Sequence, residues 1–154
     1  MNKKPGNDAP PGGGKPRGIL CLVLLFLWLP LPVLAEMVVI ANHSVPVNRL
    51  ERNAARLIFS MRRSQWPDGT PLGVVVMPDE NPLHRQFSSQ VLHLYPRQLR
   101  RVWDRQTYSG TGQSPETVAT PEEMLERVAT RPGAVGYLPR EKVDGRVKLL
   151  EVKP

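Results

Sequence analysis

Four short apolar runs rich in β-branched residues alternate with segments in which apolar residues recur at helical spacing. Such runs are typical of buried strands, and recurrence every three or four residues is typical of helices packed on a sheet. The predicted order is strand, helix, strand, three helices, strand, strand. It predicts an α/β fold with a mixed sheet flanked by helices. The runs lie at Met37–Ala41, Leu72–Met77, Ala134–Leu138 and Val147–Val152.

Polar residues and prolines mark the predicted helix starts. Asn48, with Glu51 three residues later, has the pattern of a capping box and predicts a helix that ends near Met61. An N-cap residue followed by proline also favours a helix start, because proline has no N–H that would need a partner in the first turn. Starts of this kind are predicted at Asn81–Pro82, Pro96 and Thr120–Pro121.

Residues 1–35 have the basic, apolar and small-residue order of a secretory signal peptide. The apolar run Ile19–Leu29 is followed by Val33 and Ala35 at the small-residue positions, so we expect cleavage between Ala35 and Glu36. A run of about eleven residues is short against the ~20 needed to span a membrane. An uncleaved anchor that extends through the prolines is the alternative. Membrane contact is expected only through this leader.

Cleavage changes the charge and the cysteine content of the chain. The formal net charge is +7, and four basic residues and one acidic residue leave with the leader, so residues 36–154 carry about +4. A nucleic-acid role is not expected, because part of the positive charge leaves and stacking aromatics are few. Cys21, the single cysteine, lies within the leader, and a chain without cysteine suits an oxidising compartment. We predict a periplasmic or secreted protein.

A series of segments, taken in order, resembles a known family. The segments are Leu57–Arg62, Trp66–Gly69, a valine-rich strand with a helix carrying Phe87, then Trp103, Ser109–Gly110, Pro115 and Pro132–Leu138. In order and spacing they resemble the phosphate-binding proteins of ABC-type phosphate uptake, specifically the second lobe, and short single-lobe secreted relatives labelled phosphate ABC transporter substrate-binding proteins. The resemblance implies that residues 36–154 form a single lobe of a type II periplasmic-binding-protein fold.

The resemblance also implies where phosphate would bind. Full-size members have a strand that ends in Arg and an Asp-Gly-Ser-Gly-Thr turn at a helix N-terminus. Here the equivalent stretch is 76–83, in which Asn81-Pro82-Leu83 replaces Ser-Gly-Thr. Pro82 has no N–H and Leu83 has no hydroxyl, and Glu80 adds negative charge. A single lobe also leaves a bound anion open to water, so a second copy or an envelope protein would have to complete the cleft.

Six residues are the candidate ligands for phosphate or another small oxyanion. Each also has a plainer interpretation, as a loop serine, a helix cap, a solvated arginine or a helix-ending turn. They are Ser44 after the first strand, Asn81 and Arg85 at the start of the second helix, and the loop Ser109, Gly110 and Thr111, a hydroxyl-Gly-hydroxyl sequence suited to an anion nest.

The densest basic cluster lies on the third predicted helix. It fits an acidic partner or an anionic lipid head, and it also fits a solvated helix face. The cluster consists of Arg97, Arg100, Arg101 and Arg105.

No arrangement of catalytic, cofactor-binding or metal-ligating residues is predicted. The histidines His43, His84 and His93 are scattered, and neither a metal-ligand spacing nor a nucleotide-binding glycine loop occurs after the leader. Two hypotheses remain. The first is a periplasmic solute-binding-like protein of the phosphate-uptake class that binds phosphate or another anion weakly. The second is a non-transporting envelope interaction module that retains the lobe and has lost the ligand site.

Overall fold

A computed structural model describes residues 12–13, 35–110 and 112–154, of which Ala35–Pro154 form one unit with its own hydrophobic core. The predicted leader lies outside the described residues, apart from residues 12–13 and Ala35, so it stays a prediction. The strands are β1 (Met37–Ala41), β2 (Arg49–Glu51), β3 (Gly73–Val76), β4 (Glu116–Thr117), β5 (Ala134–Pro139) and β6 (Lys148–Lys153). The α-helices are α1 (Arg52–Phe59), α2 (Pro82–Phe87), α3 (Pro96–Tyr108) and α4 (Pro121–Thr130), with a π-helical segment at Ser88–Leu92 and a 3-10 turn at Arg140–Lys142.

The sheet is mixed, because β1 runs against both of its neighbours. The strand order is β2-β6-β1-β5-β3-β4. β1 is antiparallel to β5 and β6, whereas β3 is parallel to β4 and β5, and β2 is parallel to β6. The carboxyl ends of β3 and β5 therefore share one edge of the sheet, and the carboxyl end of β1 lies at the opposite edge. Ligands of such sheets bind outside the carboxyl ends of the parallel strands, so the turn after β3 is the first candidate for a site.

Helices cover both faces of the sheet. Gly136 in β5 faces α4, where a Cβ would lie 2.5 Å from the sulfur of a methionine, so glycine permits the close approach of this helix. The next residue, Tyr137, faces the other side, where its ring stacks on Phe87 with centroids 3.9 Å apart. α3 packs outside that layer, and its Trp103 Nε1 donates a hydrogen bond of 2.9 Å to the Phe59 carbonyl. The predicted α/β architecture is confirmed.

The predicted capping box at Asn48 is wrong, because this segment is a strand. Arg49–Glu51 pairs in parallel with β6, and the helix begins only at Arg52, without a side-chain cap. The Asn48 carbonyl accepts the Glu151 N–H, and Leu50 between them is buried. This segment pairs with the open edge of β6, and the tertiary pairing outweighs the local capping preference.

The turn predicted at Trp66–Gly69 is confirmed, and it helps to hold the loop that precedes β5. Gly69 has a φ of 86°, and the Trp66 N–H donates to the Thr70 carbonyl. The Trp66 indole N–H reaches across to the Gly133 carbonyl at 2.9 Å, while the Gly133 N–H donates to Ser44 Oγ at 3.0 Å. Among the described residues no helix is long and apolar enough to cross a membrane.

Candidate functional site

The turn between β3 and α2, residues 77–83, uses its hydrogen-bond donors inside the protein. The Met77 N–H donates to the Tyr137 hydroxyl at 2.7 Å, and the Asn81 N–H donates to the Pro78 carbonyl at 2.9 Å. Asn81 is the predicted N-cap of α2, and its Oδ1 accepts the Leu83 N–H at 2.9 Å. Positions 78 and 82 are proline and have no N–H. The cap already occupies the Leu83 N–H. The turn therefore retains free backbone N–H groups only at Asp79 and Glu80, the residues that carry its two carboxylates.

Asp79 is held by a bidentate pair with Arg100 from α3. The two guanidinium–carboxylate distances are 2.9 and 3.1 Å. The Arg100 guanidinium also lies 5.4 Å from the centre of the Trp103 ring, a distance at which a cation is attracted by an aromatic face. An anion that approached this turn would meet the Asp79 carboxylate, and the guanidinium of Arg100 is already paired with that carboxylate.

Behind the turn, His84 and Tyr137 form a buried polar pair. The Tyr137 hydroxyl lies 2.6 Å from His84 Nδ1, and the His84 side chain is fully buried. Because the hydroxyl oxygen already accepts the Met77 N–H, its own proton points to Nδ1, which places the ring proton of the neutral imidazole on Nε2. Nε2 has no hydrogen-bond partner among the described residues, and it lies 3.7 Å from Asp79 Oδ1.

Burial is the main reason that the pKa of His84 is lowered from its ordinary 6.5; nearby Asp79 opposes the shift, and Arg100 adds to it. Burial also raises the pKa of Tyr137, so its hydroxyl stays protonated. A protonated His84 would place an N–H at Nδ1, and the Tyr137 proton would then have no acceptor there. Burial and hydrogen bonding both favour the neutral ring.

Acid is therefore expected to destabilise the fold through His84. As the pH falls below 6.5, the unfolded chain takes up a proton at this residue and the folded chain does not, so the free energy of unfolding decreases. Denaturant unfolding between about pH 5 and pH 7 measures the slope. His84→Gln is expected to flatten it, because glutamine does not titrate. Equal slopes in the two proteins would contradict this assignment.

An open groove runs from this turn to the start of α3. It encloses about 710 Å³ and is lined by both carboxylates of the turn and by Arg85, Tyr95, Arg97 and Arg101, together with Pro96 and Gln98. Arg85 donates to the Glu80 carbonyl at 2.9 Å, and Tyr95 is 75% exposed. The groove is the place at which basic side chains gather near the candidate phosphate turn.

The structure brings two of the six predicted ligand residues together. Asn81 and Arg85 lie on successive turns of the same helix start, where the Asn81 carbonyl accepts the Arg85 N–H at 3.2 Å. Ser44 follows the carboxyl end of β1 and so lies at the opposite edge of the sheet, where its hydroxyl accepts the Gly133 N–H.

The remaining predicted loop lies at the far end of α3. Ser109 ends that helix and its Oγ donates to the Gln106 carbonyl at 3.3 Å. Gly110 has a φ of 68°, as expected of a helix-ending glycine. A helix of thirteen residues is about 20 Å long, so this loop is well separated from the Asn81 turn. Thr111 lies outside the described residues.

Sequence reasoning missed the buried pair and the Asp79–Arg100 bridge. His84 precedes Phe87 by three residues, and this spacing was the available sign that it faces inward. Its pairing with Tyr137 joins residues 53 positions apart, which no local pattern reveals. Among the described residues no group of three His, Cys, Asp or Glu side chains could hold a metal ion.

Comparison of the sequence with protein-family models and with curated proteins gave no match. Comparison of the structure with solved structures gave several. An ABC-type phosphate transport receptor from Vibrio cholerae matches with a TM-score of 0.61 at 16% identity, over 77% of this chain and 46% of that protein. A substrate-binding protein of the phosphate ABC transporter type from Clostridium perfringens, solved with bound phosphate, matches with a TM-score of 0.60 at 15% identity, over 77% of this chain and 45% of that protein. PstS from Borrelia burgdorferi matches with a TM-score of 0.57 at 10% identity, over 77% of this chain and 47% of that protein.

The chain spans about half the length of each of these proteins. At these identities the likeness concerns the fold, and it agrees with the resemblance seen in the sequence. The chain therefore has the fold of one lobe of a phosphate ABC transporter substrate-binding protein.

Proposed function

We propose that this chain is an exported envelope interaction module, built on one lobe of the phosphate-binding-protein fold, that does not capture free phosphate. The observation that carries the proposal is the internal use of the donors in turn 77–83. A phosphate site at a helix start depends on free N–H groups and hydroxyls that point at the anion. Here those groups are bonded internally or replaced by proline, or they lie beside Asp79 and Glu80.

The openness of the groove beside turn 77–83 supports the same proposal. One open lobe by itself does not enclose a small anion. An anion on an open surface keeps much of its water, and each contact then contributes little. The likeness to solute-binding proteins also supports a role in binding rather than in catalysis.

Isothermal calorimetry with inorganic phosphate tests the proposal. We expect no saturable heat up to about 10 mM phosphate. A dissociation constant above this concentration corresponds to a binding free energy of less than about 3 kcal/mol in magnitude. Sodium chloride at the same ionic strength serves as the control for screening. A saturable heat with a dissociation constant below about 1 mM would support the other hypothesis, a weak phosphate-binding protein.

A further inference from the structure

The exposed face of α3 carries arginines whose side chains have no partner in the part of the chain that the structure describes. Arg97, Arg101 and Arg105 follow one another at four-residue spacing, and all three are exposed. None of the three side chains makes a hydrogen bond or an ion pair with any described residue. Arg100 is different, because Asp79 and Trp103 hold it against the protein. We call the three unpaired arginines the α3 stripe.

The stripe is unusual for this protein, in which many other basic side chains are paired. Glu116 binds both Arg127 and Arg131, Glu36 binds Arg140, and Asp144 binds Arg146. Like charges four residues apart destabilise a helix. The acidic residue on this face is Asp104, so three arginines and one aspartate leave an excess of two positive charges.

The stripe opens into the groove beside turn 77–83, which gives it a concave end. Arg97 and Arg101 line one wall of the groove and Arg85 lies in its lining as well. Exposed aromatic rings mark the two ends of the face, since Tyr95 is 75% and Tyr108 is 90% exposed. The surface therefore combines a row of cations with aromatic rings available for contact.

We propose that the α3 stripe and its groove bind an acidic segment of a partner protein, one with carboxylates about 6 to 7 Å apart. Residues four apart on a helix are separated by about 6 Å along its axis, and alternate residues of an extended chain by about 6.7 Å, so such a segment matches the stripe charge for charge. This inference rests on the proposed function, because it names the surface and the partner chemistry that an interaction module needs.

The observations favour an acidic protein segment over a membrane or a nucleic acid. A helix that lies on a membrane presents an apolar face beside its basic one, whereas Leu99 and Trp103 of α3 are buried inward. A nucleic acid presents a continuous row of phosphates, and it would meet Asp79, Glu80 and Asp104 along this surface. In an acidic segment with carboxylates on alternate residues, the neutral residues between them can lie against these acids.

Fluorescence anisotropy tests the inference, and the protein is used in the form that results from expression and processing in a bacterial host. The probe is a rhodamine-labelled peptide of about nine residues in which Glu alternates with Ser, and a peptide with Gln in place of Glu is its control. We expect a dissociation constant below about 1 mM, and we expect this constant to rise several-fold as the salt concentration increases. Arg97→Gln with Arg101→Gln is expected to weaken binding about tenfold or more. Arg62→Gln with Arg63→Gln removes the same charge from exposed residues after α1 and is expected to have little effect.

Competition decides between partner classes. Equal weakening in both double variants would show a response to net charge only and would overturn the inference. So would binding of phosphatidylglycerol vesicles or of a single-stranded oligonucleotide more tightly than the peptide. If neither the peptide nor phosphate binds, the inference fails and the proposed function stands. If phosphate itself binds with saturation and displaces the peptide, the proposed function fails.

Discussion

Replacing Gly133 with alanine is expected to lower the free energy of unfolding by about 3 to 5 kcal/mol. Gly133 has a φ of 74°, and a Cβ at this position would lie 2.2 Å from the Pro71 carbonyl oxygen. The left-handed conformation alone costs alanine about 1 to 2 kcal/mol. The clash adds to this cost, because its partner is backbone that cannot rotate away. The segment after Pro71 is fixed by the bond from the Gly73 N–H to the Gly133 carbonyl.

Gly69→Ala is the matched control for this substitution. Gly69 also has a positive φ, of 86°, but a Cβ there meets nothing within 4 Å. Its replacement is therefore expected to lower stability by only about 1 to 2 kcal/mol. Urea unfolding followed by tryptophan fluorescence measures both variants. Similar losses at the two glycines would mean that the loop before β5 is not held as closely as described.

Replacing Tyr137 with phenylalanine is expected to lower the free energy of unfolding by about 2 to 4 kcal/mol. The ring would remain stacked on Phe87, so the loss isolates the hydroxyl. Without it, the Met77 N–H loses its acceptor and His84 Nδ1 loses its donor. Both groups are buried, and a buried polar group without a partner costs about 1 to 3 kcal/mol.

Tyr108→Phe is the control for the hydroxyl substitution. Tyr108 is 90% exposed, and the same loss of one oxygen there is expected to change stability by less than about 0.5 kcal/mol. The comparison is made by denaturant unfolding near neutral pH, where His84 is neutral. A loss at Tyr137 no larger than that at Tyr108 would show that the hydroxyl does not support turn 77–83.

The buried framework could be predicted from the sequence because its signals are local. The runs Met37–Ala41 and Ala134–Pro139 are buried along their whole length, so they are apolar at consecutive positions. Asn81 and Thr120 cap helices through their own side chains, as their pairing with proline led us to expect. Each of these elements is specified by residues within a few positions of one another.

The two short strands could not be predicted, because their partners are distant in the chain. β2 has the sequence Arg-Leu-Glu and β4 has Glu-Thr, and neither carries a hydrophobic run. They are strands because β6 and β3 offer them backbone hydrogen bonds. Strand propensity in such edges depends on context rather than on residue type.

The position of the candidate site could be predicted from the sequence, but the contacts that occupy its polar groups could not. Its location follows from the end of a buried strand before Asn81, and the loss of donors at Pro82 and Leu83 is visible in the sequence. The Tyr137 hydroxyl and Arg100 bind Met77 and Asp79 of the turn through tertiary contacts, because they lie 60 and 21 positions away from these partners in the chain. Sequence spacing cannot specify contacts of this kind.

The central claim is that the backbone donors of turn 77–83 are bonded within the protein, except at Asp79 and Glu80 where carboxylates accompany them, and the amide resonances of the turn test it most directly. Nitrogen-15 correlation spectra are recorded while inorganic phosphate is added to about 10 mM, with sodium chloride as the ionic-strength control. We predict that the amide signals of Met77, Asn81 and Leu83 keep their positions, because their protons are already bonded within the protein. A saturable shift of these three signals with phosphate and not with chloride would contradict the account.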